Sequence, residues 1–391
     1  MKIKKQMFIA LPILSVLSWS AQLNAQELHT LPLPTDPIEK STIHFSTPLS
    51  LNYQHNESKK IVSQTSDEYW FEVSGAELKS GIKLNISAAN SLIRISGNHY
   101  DTNFDTHRVN PTLVELTYQG KRISSPFKQK VTAEQLATAN IFPNSTALTL
   151  ADSMPTGEYE LSVKQPLIKN QRFIINVKEK YSPYKMTMAL PSQEFFIGNR
   201  IHFTTQFHTN PNEGIQTSNK VKHARKAKLK YPSGHMVYVP INHDKNGLFV
   251  EVPENEQFAD KPGELYELYL MTESHLVDQQ INRNNKIAFS YITPTAKINN
   301  AALPTVRGTS VNVDVASEGR YEISAVIIGS DKAGNRRPFM LSRSAYYLMP
   351  GQHDLLLAFD KDIMKVQSIM PPFELSELTL TDQSRLQRVS F

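Results

Sequence analysis

The sequence predicts an all-β protein of tandem β-sandwich modules of the immunoglobulin-like kind, the first elaborated with a short helix. Three observations lead to this fold class. Apolar and polar residues alternate over short segments, and turn residues separate these segments every eight to twelve positions. A Pro/Gly element followed by an alternating apolar run also occurs three times. The first two features are typical of sandwiches, in which each strand buries one face.

Period-two alternation predicts the strands and a capped polar start predicts the helix. Only TAEQLATAN (132–140) predicts a helix, because Thr132 can cap its N-terminus and a Glu stands near its third position. The clearest strands are LVELTY (113–118), KAKLKY (226–231), MVYVPI (236–241), LFVEV (248–252), SVNVDV (310–315) and YEISAVII (321–328).

The Pro/Gly element sets a module-sized period. Gly157, Gly263 and Gly351 lie 106 and 88 residues apart, which is one sandwich per interval. Pro cannot donate to a ladder and Gly tolerates a positive φ, so the pair marks a sharp turn into a strand. In GEYEL, Tyr159 falls where a late strand begins, and a buried phenol there can bond back to the turn as in a tyrosine corner. The alternative is chance recurrence of a common turn dipeptide.

Composition shifts predict the boundaries. Residues 1–25 form a signal peptide, 26–40 a Pro-rich leader, 41–179 the first module, 180–294 the second and 295–391 the third. KEKYSPY (178–184) and YITPTAKINNAALP (291–304) separate the modules. We expect interfaces modest enough to allow some flexing.

The N-terminus predicts export. A basic start precedes an apolar run from Met7 to Trp19, and Leu23 and Ala25 occupy the −3 and −1 positions of a cleavage site. The run is shorter than the ~18 residues of a membrane span, so a short N-terminal anchor is the less favoured alternative. We expect no transmembrane segment after cleavage, and a periplasmic or extracellular location, with the extracellular one favoured.

Charge and cysteine content exclude several classes of function. The chain has 391 residues and a net charge of +5, which falls to +2 when the three lysines of residues 1–25 are removed. Such a mild charge gives no reason to expect specific nucleic-acid binding. The chain has no cysteine, which excludes thiol catalysis, disulfides and cysteine-based metal sites. An exported protein without cysteine is more typical of a Gram-negative bacterium than of a eukaryote.

One loop suggests a cation-binding site, and no other part of the sequence suggests a cofactor. In DTNFDTH (101–107), Asp101, Asn103 and Asp105 copy the first three ligand positions of a calcium loop. Thr106 stands where the turn glycine belongs and Thr112 where a bidentate Glu belongs, so a plain polar loop is the favoured interpretation. No HExxH or GxSxG motif occurs, and no catalytic residue is assigned.

The basic run KVKHARKAKLK (220–230) marks a candidate polyanion site. Ala227, Leu229 and Tyr231 should point inward while the lysines between them point outward, which also protects an edge strand from unwanted pairing. That structural role is favoured over contact with lipid phosphate, acidic polysaccharide or nucleic acid, and no aromatics interleave to stack on bases. The candidate residues are Lys220, Lys222, Arg225, Lys226, Lys228 and Lys230.

Clustered aromatics could form a sugar platform. Tyr69, Trp70 and Phe71 are consecutive, as are Tyr346 and Tyr347. Consecutive side chains of a strand point to opposite faces, so at most part of each set is exposed. Core packing is therefore the favoured interpretation.

The C-terminal third resembles a known family over residues 307 to 388. The motifs are a GRYE strand, a G-x-D-x-x-G turn, a Ser-Ala pair, a Pro-Gly pair, PPFEL and an L-x-L-x-D-Q ending. This order resembles the C-terminal module of an uncharacterised family of secreted Gram-negative proteins built of three immunoglobulin-like β modules. The resemblance implies the same architecture and, in some members, type II secretion. It implies no catalytic residue.

These observations favour a non-enzymatic exported protein that presents a binding or adhesion surface to a protein or glycan partner. A hydrolase or hydrolase-accessory protein, with its site near residues 101–107 of the first module, is the first alternative. A periplasmic assembly factor that offers an exposed strand edge is the second.

Overall fold

Three β-sandwich cores follow one another along the chain. The computed structural model describes residues 27–50, 53, 61–97, 108–140, 142, 144–209, 222–253, 264–276 and 279–390. Within these residues the strands form six sheets, almost entirely antiparallel. The sheets enclose three large clusters of buried apolar side chains. The all-β, multi-sandwich fold class is thereby confirmed.

The N-terminal segment carries two strands that join the later sandwiches. They are β1 (Ile43–Pro48) and β2 (Val62–Ser66).

The first sandwich packs a five-stranded sheet, ordered β3-β11-β5-β9-β8, against a four-stranded sheet, ordered β4-β10-β6-β7. Its strands are β3 (Glu68–Ser74), β4 (Ile82–Ile86), β5 (Leu92–Gly97), β6 (Val114–Tyr118), β7 (Lys121–Arg122), β8 (Phe127–Val131), β9 (Ser145–Leu150), β10 (Gly157–Val163) and β11 (Arg172–Lys178). Two short helices, α1 (Gly75–Ser80) and α2 (Ala133–Thr138), elaborate it, and a 3-10 turn covers Pro111–Leu113.

The second sandwich has two five-stranded sheets, ordered β17-β18-β14-β12-β2 and β13-β20-β19-β15-β16. Its strands are β12 (Lys185–Leu190), β13 (Glu194–Phe196), β14 (Ile201–His208), β15 (Lys222–Lys230), β16 (Met236–Val239), β17 (Asn242–Asp244), β18 (Gly247–Val250), β19 (Leu265–His275) and β20 (Gln280–Ile292). The second of these sheets carries the candidate site.

The third sandwich has a three-stranded sheet, β21-β22-β25, and a five-stranded sheet, β1-β24-β23-β26-β27. Its strands are β21 (Ala296–Ala301), β22 (Gly308–Val315), β23 (Gly319–Ser330), β24 (Arg336–Leu348), β25 (Gly351–Ala358), β26 (Met370–Asp382) and β27 (Gln387–Ser390), with α3 at Lys361–Gln367.

The predicted helix is present, and the structure adds two more. Thr132 caps α2 as predicted, but its reciprocal partner is Gln135, whose side chain accepts from the Thr132 backbone N–H at 2.9 Å. α1 begins with the same device, since Ser74 and Glu77 form a capping box. The prediction of a single helix was wrong. α1 and α3 span six and seven residues, too few for a helical period to stand out, and α2, also six residues long, was predicted from its cap.

The Pro/Gly element predicts the local turn correctly but not the equivalence of the strands. Gly157 and Gly351 each open a strand with φ values of +139° and +136°, and Gly263 lies outside the described residues. β10 lies between β4 and β6, whereas β25 is an edge strand paired with β22. The element specifies the backbone conformation at a strand's first residue, and it does not specify that strand's partners.

The predicted tyrosine corner is confirmed and has a counterpart in the third sandwich. The Tyr159 hydroxyl donates to the carbonyl of Pro155 at 2.5 Å. In the GRYEI segment, the Tyr321 hydroxyl donates to the carbonyl of Ser317 at 2.7 Å. Both acceptors lie four residues upstream, so each phenol secures the turn before its own strand.

We expect Tyr321→Phe to lower the free energy of unfolding of the third sandwich by about 1–2 kcal/mol, because the hydroxyl is fully buried and its hydrogen bond is lost. Differential scanning calorimetry would measure the shift. The control is Tyr238→Phe, which alters a ring that is 67% exposed and should leave the transitions unchanged. Equal effects of the two variants would contradict the assigned role of the Tyr321 hydroxyl.

The N-terminal segment lies on the third and second sandwiches. β1 pairs antiparallel with β24 over six residue pairs, and β2 pairs with β12 over five. Upstream, the Arg385 guanidinium donates to the carbonyls of Leu31 and Pro32 at 3.1 and 2.9 Å. Residues 43–48, which the sequence assigned to the first module, therefore complete a sheet of the third.

Candidate functional site

The basic run forms β15, and its alternation is as predicted. Ala227 and Leu229 are buried in the core of the second sandwich. Lys226, Lys228 and Lys230 alternate with them and so share the outer face of the sheet. Lys222 begins the strand and Lys220 lies outside the described residues.

Arg225 lies on the opposite face from these lysines. It is partly buried beside His223, whose Nδ1 lies 2.8 Å from the Ser274 hydroxyl. Burial lowers the pKa of Arg225. Burial, followed by the charge of Arg225, also holds the pKa of His223 below its usual value. Arg225 therefore belongs to the interior side of the sheet and does not join the surface lysines.

Edge protection does not explain Lys228 and Lys230. β15 pairs with β19 along its whole length, from Lys222 to Lys230, and with β16 over Ala227–Lys230. Lys228 and Lys230 thus stand on an interior strand, whose backbone groups are paired on both sides. The favoured interpretation from the sequence was wrong for these two positions, because an interior strand needs no charge to deter pairing.

The outer face instead presents a row of alternating aromatic and cationic side chains. Lys228 lies directly opposite Tyr238 on β16 and Tyr269 on β19, and Tyr269 lies opposite Lys286 on β20. The Lys228 ammonium is 4.5 Å from the ring centroid of Tyr238, and that of Lys286 is 5.7 Å from the centroid of Tyr269. We refer to Tyr238, Lys228, Tyr269 and Lys286 as the aromatic–lysine row.

One carboxylate, Glu267, lies beside the row. It pairs with Lys230 at 3.0 Å and with Lys286 at 3.5 Å, and it accepts from the Tyr269 hydroxyl at 2.8 Å. Burial alone would raise the pKa of Glu267, but the hydrogen bonds from Tyr269 and Lys230 and the nearby lysine charges hold it below its usual value. Glu267 is therefore ionised at neutral pH, and it partly neutralises the two lysines that contact it.

Lys226 and Lys228 keep their charge available. Among the described residues, neither has a carboxylate within 4.0 Å. Lys226 is exposed, and Tyr238 next to Lys228 is 67% exposed. The face therefore carries an excess of positive charge beside an accessible aromatic ring.

Trp70 connects this face to the first sandwich. Its ring meets the ring of Tyr269 edge-on, with centroids 6.3 Å apart. Tyr69 is buried and Phe71 packs against the first core, so only Trp70 of the three consecutive aromatics reaches the outer face. This confirms that at most part of the cluster is exposed.

The sequence identified Lys226, Lys228 and Lys230 but not the residues that complete the row. Tyr238, Tyr269 and Lys286 come from three other strands, and only the register between strands brings them together. The available signal was the alternation in MVYVPI, which places Tyr238 on the face opposite the buried Val239.

The other candidate sites have less support. Asp101, Asn103 and Asp105 lie outside the described residues, so the calcium prediction stays a prediction. Within the part of the chain that is described, no group of three or more His, Cys, Asp or Glu residues could hold a metal ion. In that same part, no helix is both long and apolar enough to cross a membrane.

A shallow pocket between the second and third sandwiches contains two carboxylates, Glu194 and Glu264. Arg388 lies 3.6 Å from Glu194 in an ion pair and lines the same pocket.

Comparison with solved structures finds a match over nearly the whole chain. It is the crystal structure of a DUF4785 family protein from Legionella pneumophila, with a TM-score of 0.70 and 20% identity over 93% of this chain and 95% of that chain. At this identity the match shows the fold. A tetra-tandem repeat from the extending region of a large adhesion protein is 12% identical over 75% of this chain and 71% of that chain, but its TM-score of 0.18 supports no argument. No curated protein matches significantly.

Two family models match the chain at its ends. The N-terminal domain of DUF4785, a domain of unknown function, matches residues 34–179, and the C-terminal domain of DUF4785 matches residues 295–391. Together the two matches cover more than half of the chain, and they confirm the resemblance to an uncharacterised family. This chain is a member of the DUF4785 family.

Proposed function

We propose that this protein is a non-enzymatic binding protein that holds an acidic polysaccharide on the aromatic–lysine row of its second sandwich. The observation that carries the proposal is the register of Tyr238, Lys228, Tyr269 and Lys286 across four neighbouring strands. Lysine ammonium groups form charge-assisted hydrogen bonds with carboxylate or sulfate oxygens. Tyrosine rings offer an apolar face to the C–H face of a sugar and a hydroxyl to its oxygens.

The flat outer face of a sheet suits an extended polymer. Neighbouring strands lie about 4.8 Å apart, so the row spans about 14 Å from β16 to β20. Lys228 and Lys230 lie where β15 is paired on both sides, so they have no role in preventing strand pairing. Their excess positive charge complements a polymer that carries acidic groups at intervals.

Export forms part of the proposal. The signal peptide predicted over residues 1–25 would deliver the protein to the periplasm or beyond, where acidic polysaccharides of the cell surface are accessible. Adhesion to such a polymer, and type II secretion as the route, are consistent with this function.

We expect the variant Lys226→Gln/Lys228→Gln to bind polygalacturonate about tenfold more weakly than the unchanged protein, since two exposed charge contacts of about 0.7 kcal/mol each correspond to that factor. Its affinity should also fall less steeply with added salt. Biolayer interferometry on immobilised polygalacturonate, with neutral dextran alongside, would measure both effects.

The matched control is Lys169→Gln/Lys332→Gln, which removes the same charge from exposed positions on the first and third sandwiches. This control should bind like the unchanged protein. The proposal fails if the unchanged protein binds neither polygalacturonate nor dextran sulfate, or if both double variants lose affinity equally. Tighter binding to oligothymidylate than to either polysaccharide would also overturn it, in favour of a single-stranded nucleic acid.

A further inference from the structure

The outer face of the first sandwich carries a second row in register. Trp70 on β3 lies opposite Asn176 on β11, and Asn176 lies opposite Arg94 on β5. The three side chains therefore point to the same face of one sheet. Phe142 covers the end of this row, because the Arg94 guanidinium carbon lies 3.6 Å from the centroid of its ring.

Hydrogen bonds hold this second row in place. Asn176 is buried, accepts from Arg94 Nη2 at 3.0 Å and donates from Nδ2 to a carboxylate oxygen of Glu68 at 3.2 Å. The guanidinium lies over the Phe142 ring, and Phe142 is itself 54% exposed. Planar groups held in this way form a firm stacking surface, because little side-chain entropy remains to be lost when a ligand binds.

The two rows are continuous across the boundary between the sandwiches. The Trp70 ring meets Tyr269 of the aromatic–lysine row at 6.3 Å, and the Asn284 amide of β20 donates to the Trp70 carbonyl at 2.5 Å. Two strand spacings separate Trp70 from Arg94, and two separate Tyr238 from Tyr269. With a spacing of about 4.8 Å and the ring contact between them, the path is about 25 Å long.

The charge of the second row differs from that of the first. Burial lowers the pKa of Arg94, and the nearby charge of Glu68 opposes that shift. Glu68 therefore balances Arg94, and neighbouring Glu72 is paired with Arg172 at 3.1 Å. Lys178 lies on the same face two residues beyond Asn176 and adds one exposed positive charge beside Glu68. Around Trp70, Arg94 and Phe142 themselves, the surface offers ring faces and hydrogen bonds, with Arg94 balanced by Glu68.

We infer that Trp70, Arg94 and Phe142 form a second, neutral subsite, and that the ligand is an extended acidic polysaccharide running from the aromatic–lysine row onto the first sandwich. The inference rests on the proposed function and adds the length and direction of the bound chain. Sugars on the first sandwich are held by stacking, and acidic groups on the second are held by lysine.

The test compares long polygalacturonate with trigalacturonate at low and at high salt. The unchanged protein is expected to bind the long polymer more tightly than the trisaccharide. Phe142→Ala, and separately Trp70→Ala, should weaken binding of the long polymer about five- to tenfold. The factor should be the same at both salt concentrations, because stacking is not screened, and trisaccharide binding should be unchanged. The control is Phe45→Ala, which removes a 62% exposed ring on the third sandwich.

The outcomes separate this inference from the proposed function. If Lys226→Gln/Lys228→Gln weakens binding of the long polymer while Phe142→Ala and Trp70→Ala do not, the second subsite is refuted and the first stands. If the lysine variant also binds normally, the proposed function fails and the inference fails with it. A Phe142→Ala effect that shrinks with added salt would refute a neutral subsite.

Discussion

Replacing Arg283 by Met is expected to destabilise the junction of the first and second sandwiches by about 3–5 kcal/mol, the usual effect of removing one partner from a buried ion pair. The side chains of Arg283 and Glu179 are both 0% exposed, and Nη1 lies 2.7 Å from Oε2. Arg283 belongs to β20 of the second sandwich, whereas Glu179 directly follows β11 of the first. The pair therefore joins two sandwiches at a point that water does not reach.

Every nitrogen of the guanidinium is engaged at this junction. Nε and Nη2 donate to the carbonyl of Tyr184, and Nη2 also donates to the hydroxyls of Ser87 and Ser182. Without the arginine, the Glu179 carboxylate would keep two close donors, the Ser87 N–H and hydroxyl, both at 2.6 Å. That leaves a charge buried without its counterion, which is the costly situation.

Calorimetry would detect the change as a lower unfolding temperature of the first two sandwiches, and limited proteolysis would detect faster cleavage within residues 178–184. The double variant Arg283→Met/Glu179→Leu should recover much of the loss, since it removes both charges together. The control Arg343→Met alters an exposed arginine of β24 and should stay within about 0.5 kcal/mol. If Arg283→Met is as stable as this control, the junction does not depend on the pair.

The junction shows a limit of sequence reasoning. KEKYSPY has the composition of a linker, yet Glu179 and Ser182 within it are fully buried. Their partner Arg283 lies 104 residues beyond Glu179, in the polar run NRNN in the middle of β20. Local composition cannot reveal such a pairing. The sequence predicted modest interfaces that allow some flexing. At this junction, separating the two sandwiches would break the buried Arg283–Glu179 ion pair, which opposes such flexing.

The strand alternation of the candidate site was predictable, whereas its assembly was not. Alternation in β15 correctly placed Lys226, Lys228 and Lys230 on one face. The same alternation places Arg225 on the inward face with Ala227 and Leu229. The sequence alone therefore predicts that Arg225 does not join the surface lysines. The aromatic half of the row depends on which strands are neighbours, and that information lies in long-range register rather than in any local pattern.

Deleting residues 27–48 is expected to destabilise the third sandwich by about 3–6 kcal/mol. Two arginines of that sandwich donate to the backbone of this segment, and we count about 1.5–3 kcal/mol for each arginine that loses its charged hydrogen bonds. Arg320 donates to the carbonyls of Glu39 and Ser41 at 2.7 and 2.8 Å. Arg385 is buried beside Asp382 at 2.8 Å and would lose its acceptors at Leu31 and Pro32.

The same deletion would expose the edge of the sheet at β24. β1 covers β24 over six residue pairs, and an uncovered strand of that length is a template for pairing with another chain. We therefore expect the variant to self-associate in light scattering, as well as to show a lower transition in calorimetry. A synthetic peptide of residues 27–50 added in trans should reverse both effects, because it restores the strand and the arginine acceptors.

The control separates backbone pairing from side-chain contacts. Ile43 and Phe45 are 48% and 62% exposed, so Ile43→Ser/Phe45→Ser removes apolar side chains while the β1 ladder remains. This variant should melt close to the unchanged protein and stay monodisperse to the same degree. If instead it behaves like the deletion variant, the apolar side chains of β1 carry the stabilisation. If neither variant shifts the transition, the third sandwich is complete without the N-terminal segment, and the contacts of Arg320 and Arg385 with it contribute nothing measurable.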